Sequence, residues 1–467
     1  MPTTRRTRSS PRKWRLRTDG CWNESSAAAE CRSRGSGRRM TEILRPEDTA
    51  NRLTAILWHE FELSRMAAGW VPAVRRYEHK LKLGRFHYVH NRNVRWLHER
   101  IRELPGVFQE KRGTPPVIRE AFERLSTAAG EADFLYAYLF AVDQVYAQYR
   151  QLYETLDPLL DMPTADQLEL AMGALPAVRD WLSGELRSAV SKPSETWTAY
   201  TAAVWVCMNN ELEKGNRQPS GKARWPQHPV SQPAGPVPSE SAWDDEEFPL
   251  YVKPERAQRA YDDPSMSPLH DSVKQMHFIN ATEISAAEML CYVYYGVQKM
   301  PLAFYYDLAR HNWDEFRHSE MGVRRLRQLG CSTKDFLFTK GSPGGKVARE
   351  WFAEMYAGLT MVAEPCSFIK KKKSAEAFRR FGDELSAAHC EFDMADERKH
   401  VDFGKKWGPE LYRQLGDMIT AEEMSERARV RRLKQLEAGD EEEIRRLVKS
   451  FPAFCGFSTV ELNYDSY

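Results

Sequence analysis

Two pentapeptides in the second half of the chain have the composition of metal ligands. Asp314-Glu315-Phe316-Arg317-His318 and Asp396-Glu397-Arg398-Lys399-His400 both read D-E-x-x-H. Residues three apart share a helical face, so Glu315 with His318, and Glu397 with His400, can each present a carboxylate and an imidazole to one metal ion. With 66 acidic residues in 467, two consecutive acids at a fixed offset before a given histidine are expected roughly 2% of the time, so 12 histidines give about a quarter of one match. The chain has two matches, and no other histidine has Glu three residues before it.

The surrounding periodicity turns both pairs inward. Steps of three and four from Leu308 pass through His311, Glu315, His318, Gly322 and Arg325 to Leu329; from Cys390 they pass through Asp393, Glu397, His400, Gly404 and Trp407 to Leu411. An unpaired carboxylate on such a stripe costs several kcal/mol, and a cation is the simplest way to satisfy it. Each motif also has an acid upstream: 30 residues separate Glu283 from Asp314, and 31 separate Glu364 from Asp396. At about 1.5 Å of rise per residue, a helical hairpin of that length returns to the level at which it started. Four carboxylates (Glu283, Glu315, Glu364, Glu397) and two imidazoles (His318, His400) suit two divalent ions, with open positions left for dioxygen.

Helices must position these groups. Apolar spacing predicts helical segments over 269–298, 302–329, 346–370 and 383–407, with 371–382 as the connection between the last two. Pro301, Gly330 and Gly344-Gly345 punctuate them. Residues 41–215 read as a metal-free helical domain, with long amphipathic segments at 49–69, 72–104, 131–157 and 164–190. Pro219, Pro226, Pro229, Pro233, Pro236 and Pro238 mark a linker over 216–248. The remaining divisions are a basic, disordered leader at 1–40, a metal-carrying domain at 249–415 and a helical tail at 416–467. The first half aligns with the second as a degenerate copy, in which His90 and Asn93 stand where Glu315 and His318 stand, and Glu60 or Glu62 imitates Glu283.

Composition excludes several function classes. Lys and Arg number 68 against 66 Asp and Glu, so the chain as a whole has no polyelectrolyte character of the kind that grips nucleic acid. Eight cysteines without a C-x-x-C pair point away from a zinc knuckle or a disulfide framework and towards a reducing, cytoplasmic setting. No apolar run approaches the ~20 residues of a membrane span, in line with a mean hydropathy of -0.62. The segment Gly341 to Lys346 lacks the spacing of a phosphate loop, and the run Lys370 to Lys373 reads as a solvated helix end.

The double E-x(30–31)-D-E-x-x-H pattern resembles the ferritin-like di-iron carboxylate superfamily, which includes bacterial multicomponent monooxygenases, aryl-amine N-oxygenases and the small subunit of class I ribonucleotide reductase. The residues Glu283 to Glu288 (EISAAE), Gly382-Asp383 and His400-Val401 with Gly404 and Trp407 look closest to a branch related to the tRNA hydroxylases. The resemblance covers about 265–412. It implies a ferritin-like four-helix bundle with a dinuclear metal site; with the second, N-terminal helical bundle read from periodicity in 41–215, the expected fold is all-α. It places Glu283, Glu315 and His318 on one iron and Glu364, Glu397 and His400 on the other. Asp314 and Asp396 would orient ligand imidazoles, as would His311 and Asp393, with a third histidine ligand at His311 as the alternative.

The implied activity is that of an oxygen-activating non-haem di-iron oxidase or oxygenase. Its cofactors are two Fe ions, with Mn/Fe as the alternative pairing, and dioxygen is the co-substrate. A reductase or ferredoxin-like protein would donate electrons, the substrate would be a small molecule or a nucleoside, and homo-oligomers are compatible. The rival reading is a ferritin-like metal-binding protein without turnover, for storage, sensing or structure. Two departures stand out: Pro365 directly after Glu364 predicts a kink beside the metals, and Gly322 and Gly404, one turn beyond the histidines, predict open space and no stored tyrosyl radical.

Overall fold

The computed structural model describes residues 43–106, 108–189, 191–215, 223–230, 241–243, 245, 280–328, 330, 333, 349–380 and 382–437. The first half forms α1 (Pro46–Trp70), α2 (Tyr77–Glu103), α3 (Pro116–Ser126), α4 (Glu131–Thr155), α5 (Met162–Ser188) and α6 (Glu195–Gly215). The second half forms α7 (Ile284–Gly296), α8 (Leu302–Gln328), α9 (Arg349–Gly358), a π-helical turn (Leu359–Ala363), α10 (Glu364–Arg380), α11 (Glu384–Arg413) and α12 (Ala421–Glu437). The fold is all-α: no strand occurs among the described residues, and no helix among them is long and apolar enough to cross a membrane. The expected leader at 1–40, most of the linker at 216–248 and the tail beyond 437 lie outside the described residues.

Local chemistry sets the helix ends. Pro46 opens α1 with Glu47 and Asp48 in its first turn, where fixed φ and negative charge favour a helix N-terminus. Asp383 caps α11, its side chain accepting from the Ser386 amide at 3.0 Å. Just before it, Gly382 takes a left-handed φ of 77°, and the Asp383 amide bonds back to the Phe378 carbonyl at 2.9 Å. That arrangement stops α10 at Arg380. The connection expected at 371–382 is therefore helix as far as Arg380, and α11 begins at Glu384.

The kink expected at Pro365 takes the form of a π-turn. The Glu364 amide donates to the Leu359 carbonyl, five residues back. Pro365 has no amide hydrogen and its ring crowds the carbonyl four residues earlier, so the wider turn over Leu359–Ala363 relieves a clash that a regular helix would suffer. Gly404 on α11 admits this turn: a Cβ there would lie 2.1 Å from Thr360 Oγ1. The space expected at Gly404 is thus filled by Thr360.

The linker is a boundary in composition but not in packing. One hydrophobic core includes Leu57, Phe61, Leu83 and Leu97 of the first half with Leu290, Phe304, Leu308 and Phe316 of the second. Phe316, inside the first D-E-x-x-H, packs on Gly84 of α2, where a Cβ would sit 2.3 Å from its ring. A fully buried ion pair reinforces the junction. Lys80 Nζ on α2 donates to Glu288 on α7 at 2.5 Å, and to the Val71 carbonyl at 3.0 Å. Ser241 Oγ, from the segment between the halves, donates to the other Glu288 oxygen at 2.7 Å.

Candidate metal centre

Helix α8 presents His311, Glu315 and His318 on one face, and α11 presents Asp393, Glu397 and His400, in the same steps of four and three. Glu283 precedes α7 as its N-cap, and Glu364 opens α10 at the end of the π-turn. The two longer helices pack on each other, α7 on α8 and α10 on α11, so all these groups meet in the interior.

The side chains converge as two groups. His311, Glu315, Glu364 and His400 form a buried set whose ligand atoms all lie within 4.8 Å of one another; Glu283, His318 and Asp393 form a second. In the first, His311 Nε2 is 2.9 Å from Glu364 Oε1 and 3.3 Å from Glu315 Oε1. His400 Nδ1 is 3.4 Å from Glu315 Oε1 and 3.5 Å from Glu364 Oε1. In the second, His318 Nδ1 is 3.2 Å from Glu283 and 3.6 Å from Asp393.

These approaches are close but poorly directed for hydrogen bonds. Both nitrogens of His311, Nδ1 of His318 and of His400, and both oxygens of Glu364 are buried without a hydrogen-bond partner. Orphaned donors and acceptors packed this tightly are costly unless something sits among them. Buried imidazole nitrogens and carboxylate oxygens are the donor set of iron, manganese or zinc.

The outer nitrogens of two histidines are held, and the holding is crossed. His400 Nε2 on α11 faces Asp314 of α8 at 3.3 Å, and His318 Nε2 on α8 faces Asp396 of α11 at 3.2 Å. Each aspartate therefore fixes the ring of the opposite helix and leaves Nδ1 turned to the centre. Arg310 and Arg317 bind both aspartates, Arg310 at 2.8 Å to Asp314 and 3.2 Å to Asp396, and Arg317 at 2.8 Å to Asp314.

The electrostatics follow from burial set against charge. Burial opposes an imidazolium at His311, but the carboxylates of Glu364 and Glu315 outweigh it and raise its pKa to about 9. Burial likewise opposes ionisation of Glu364, yet His311 and His400 hold it down at about 2. Burial pushes Glu283 and Glu397 up, with neighbouring carboxylates adding to the effect. The centre is a negative field that draws protons onto its imidazoles, and a divalent cation would answer the same field.

The grouping differs from the expected one. Glu315 sits with Glu364 and His400, not with Glu283 and His318, and His311 and Asp393 stand among the converging groups rather than behind them. Glu397 belongs to neither set: one oxygen accepts from Lys371 Nζ at 2.6 Å and the other from Ser367 Oγ at 2.7 Å. Lys371 is the principal residue that sequence reasoning missed. It is 1% exposed, against the expected solvated helix end. The overlooked signal was the stripe Glu364, Ser367, Lys371, which continues the three-and-four spacing of the site. Tyr356 was also missed; it is buried with its ring centroid 6.0 Å from that of His311.

Residues 207–436 match the model of a family described as a protein of unknown function (DUF455), a stretch that includes every residue of the centre. No curated protein and no solved structure matches the chain.

Proposed function

We propose that this protein is a ferritin-like, oxygen-activating non-haem di-iron oxidase or oxygenase acting on a small molecule or nucleoside. The observation that carries the reading is the convergence of His311, Glu315, Glu364 and His400 beside Glu283, His318 and Asp393, with buried ligand atoms left without hydrogen-bond partners. When bound, the iron pair would supply the electrons that reduce dioxygen and the oxidising power directed at a substrate C–H or N–H bond. The protein's part is to hold and shield. His311, Glu315, Glu364 and His400 would take one ion, and Glu283, His318 and Asp393 the other. Asp314 and Asp396 keep the imidazole rings turned; the facing His400 and His318 hold those aspartates ionised, with Arg310 and Arg317 adding to the effect.

The test is anaerobic reconstitution of the full chain with ferrous iron, a count of bound iron, and admission of oxygen while near-ultraviolet and visible absorption is followed. Two irons per chain and an oxygen-dependent transient are expected. Iron bound without a transient would favour the storage or structural role instead, and no bound iron would remove both readings.

The crossed aspartates give a sharper expectation. Asp314→Asn should weaken metal at the position containing His400 by about 10- to 100-fold, and Asp396→Asn should do the same at the position containing His318. Metal titration with a cobaltous probe, whose visible spectrum reports each position, separates the two. A loss that follows the helix of the substitution rather than the opposite helix would contradict the crossing.

A further inference from the structure

Lys371 reaches the centre from α10 and touches only one of the two groups. Its Nζ lies 2.6 Å from Asp393 Oδ1, 2.6 Å from Glu397 Oε1 and 3.3 Å from Glu283 Oε1. Two of the three side chains that form the second position, Glu283 and Asp393, therefore each direct an oxygen at an ammonium. The other oxygen of Asp393 accepts from Asn280 Nδ2 at 2.5 Å, so this carboxylate is fully engaged. The first position is different. Among the described residues, the ion pairs of Glu315 and Glu364 run only to His311 and His400, and both Glu364 oxygens lack a donor.

We infer that Lys371 makes the two positions unequal: its ammonium occupies the place of a cation at Glu283, His318 and Asp393, so that the position at His311, Glu315, Glu364 and His400 fills first and the other fills only when Lys371 gives way. The inference rests on the metal-centre reading above. Its physical basis is simple. A divalent ion entering the second position meets a like charge within contact distance in a buried site, where such repulsion is little screened. It must also take over oxygens already bound to that charge. Both positions must release protons held on their imidazoles as an ion enters, but the first, with two imidazoles and two carboxylates, has no lysine or arginine paired to its carboxylates among the described residues. The four-carbon stem of lysine lets the ammonium swing aside without moving the helix, which makes loading conditional rather than forbidden.

The experiment is titration of metal-free, full-length protein with manganous and cobaltous ions under nitrogen, read by calorimetry and by bound metal per chain. The wild-type chain should bind one ion tightly and a second more weakly by more than about tenfold, as contact with a buried like charge requires. Lys371→Met should narrow the gap to within about threefold by strengthening the second step, while Lys371→Arg should retain it. His311→Ala, which leaves Lys371 in place, should abolish the tight step and leave the weak one, so the inference can be tested even where Lys371→Met does not fold. Two equal steps in the wild-type chain, an unchanged gap in a folded Lys371→Met, or a tight step that survives His311→Ala would each overturn the role of Lys371 and leave the metal centre standing. No binding of either ion by the wild-type chain would overturn both.

Discussion

Glu364→Ala is expected to lower metal affinity at the four-residue position by about 10²- to 10³-fold, while Glu397→Ala lowers it by less than about tenfold. A four-ligand site that holds an ion with roughly 10–16 kcal/mol draws about 2.5–4 kcal/mol from each ligand, which sets the first figure. Glu364 Oε1 lies 2.9 Å from His311 Nε2 and 3.5 Å from His400 Nδ1, and neither Glu364 oxygen has a hydrogen-bond partner, so its loss removes the carboxylate on which the set is centred. Glu397, by contrast, already accepts from Lys371 and Ser367. The D-E-x-x-H motifs alone would make Glu397 the equal of Glu315, so the contrast separates the observed grouping from the expected one.

The same substitution has a second readout. An ion that binds only the folded chain stabilises it by about 4 kcal/mol at a concentration 1,000 times its dissociation constant. Metal should therefore raise the unfolding temperature of the wild-type chain and of Glu397→Ala, and leave that of Glu364→Ala almost unmoved. Circular dichroism of the metal-free variants checks that each folds. Equal losses in the two variants would mean that Glu397 is a ligand of the same rank as Glu364.

The inward-facing residues of the two motifs were legible because helical periodicity is a one-dimensional property. Spacing of three and four on the segments that became α8 and α11 placed Glu315, His318, Glu397 and His400 on inward faces, and burial agrees for all four. Partnership across helices is not one-dimensional. Nothing in a D-E-x-x-H says whether its aspartate will hold its own histidine or that of the facing helix, and Asp314 and Asp396 hold the facing ones. Lys371 was lost for a related reason. Ending the third helix at residue 370 made the run Lys370 to Lys373 a helix end, where solvation is the ordinary fate of lysine. Continued to Arg380, the same helix puts Lys371 two turns beyond Glu364 on the face that also buries Ser367, Ser374 and Phe378.

Packing decided the other differences. The proline-rich linker is a compositional feature, but Gly84 against Phe316 brings α2 and α8 so close that the halves share one core. Gly404 serves approach rather than access, since Thr360 of the π-turn lies against it. Glu60 on α1 pairs with His90 on α2 and accepts from Asn93 Nδ2 at 3.0 Å, much as Glu283 faces His318 in the second half.

The junction between the halves gives the other large effect. Glu288→Gln should destabilise the protein by about 3–5 kcal/mol, because it leaves the Lys80 ammonium buried without a counter-charge. The intact pair is itself strained by burial, which pushes the Lys80 ammonium down and the Glu288 carboxyl up in spite of their contact. Replacing both charges should therefore cost much less than replacing one. In Lys80→Met/Glu288→Leu, the remaining penalty is the lost partner of the Val71 carbonyl and of Ser241 Oγ, about 1 kcal/mol each. Urea unfolding of the wild-type chain, both single variants and the double variant closes a cycle that isolates the coupling. A coupling energy near zero, with the single losses simply adding, would mean that Lys80 and Glu288 are each satisfied by their other partners and that the halves are held by their remaining contacts, the Phe316 contact and the shared core among them.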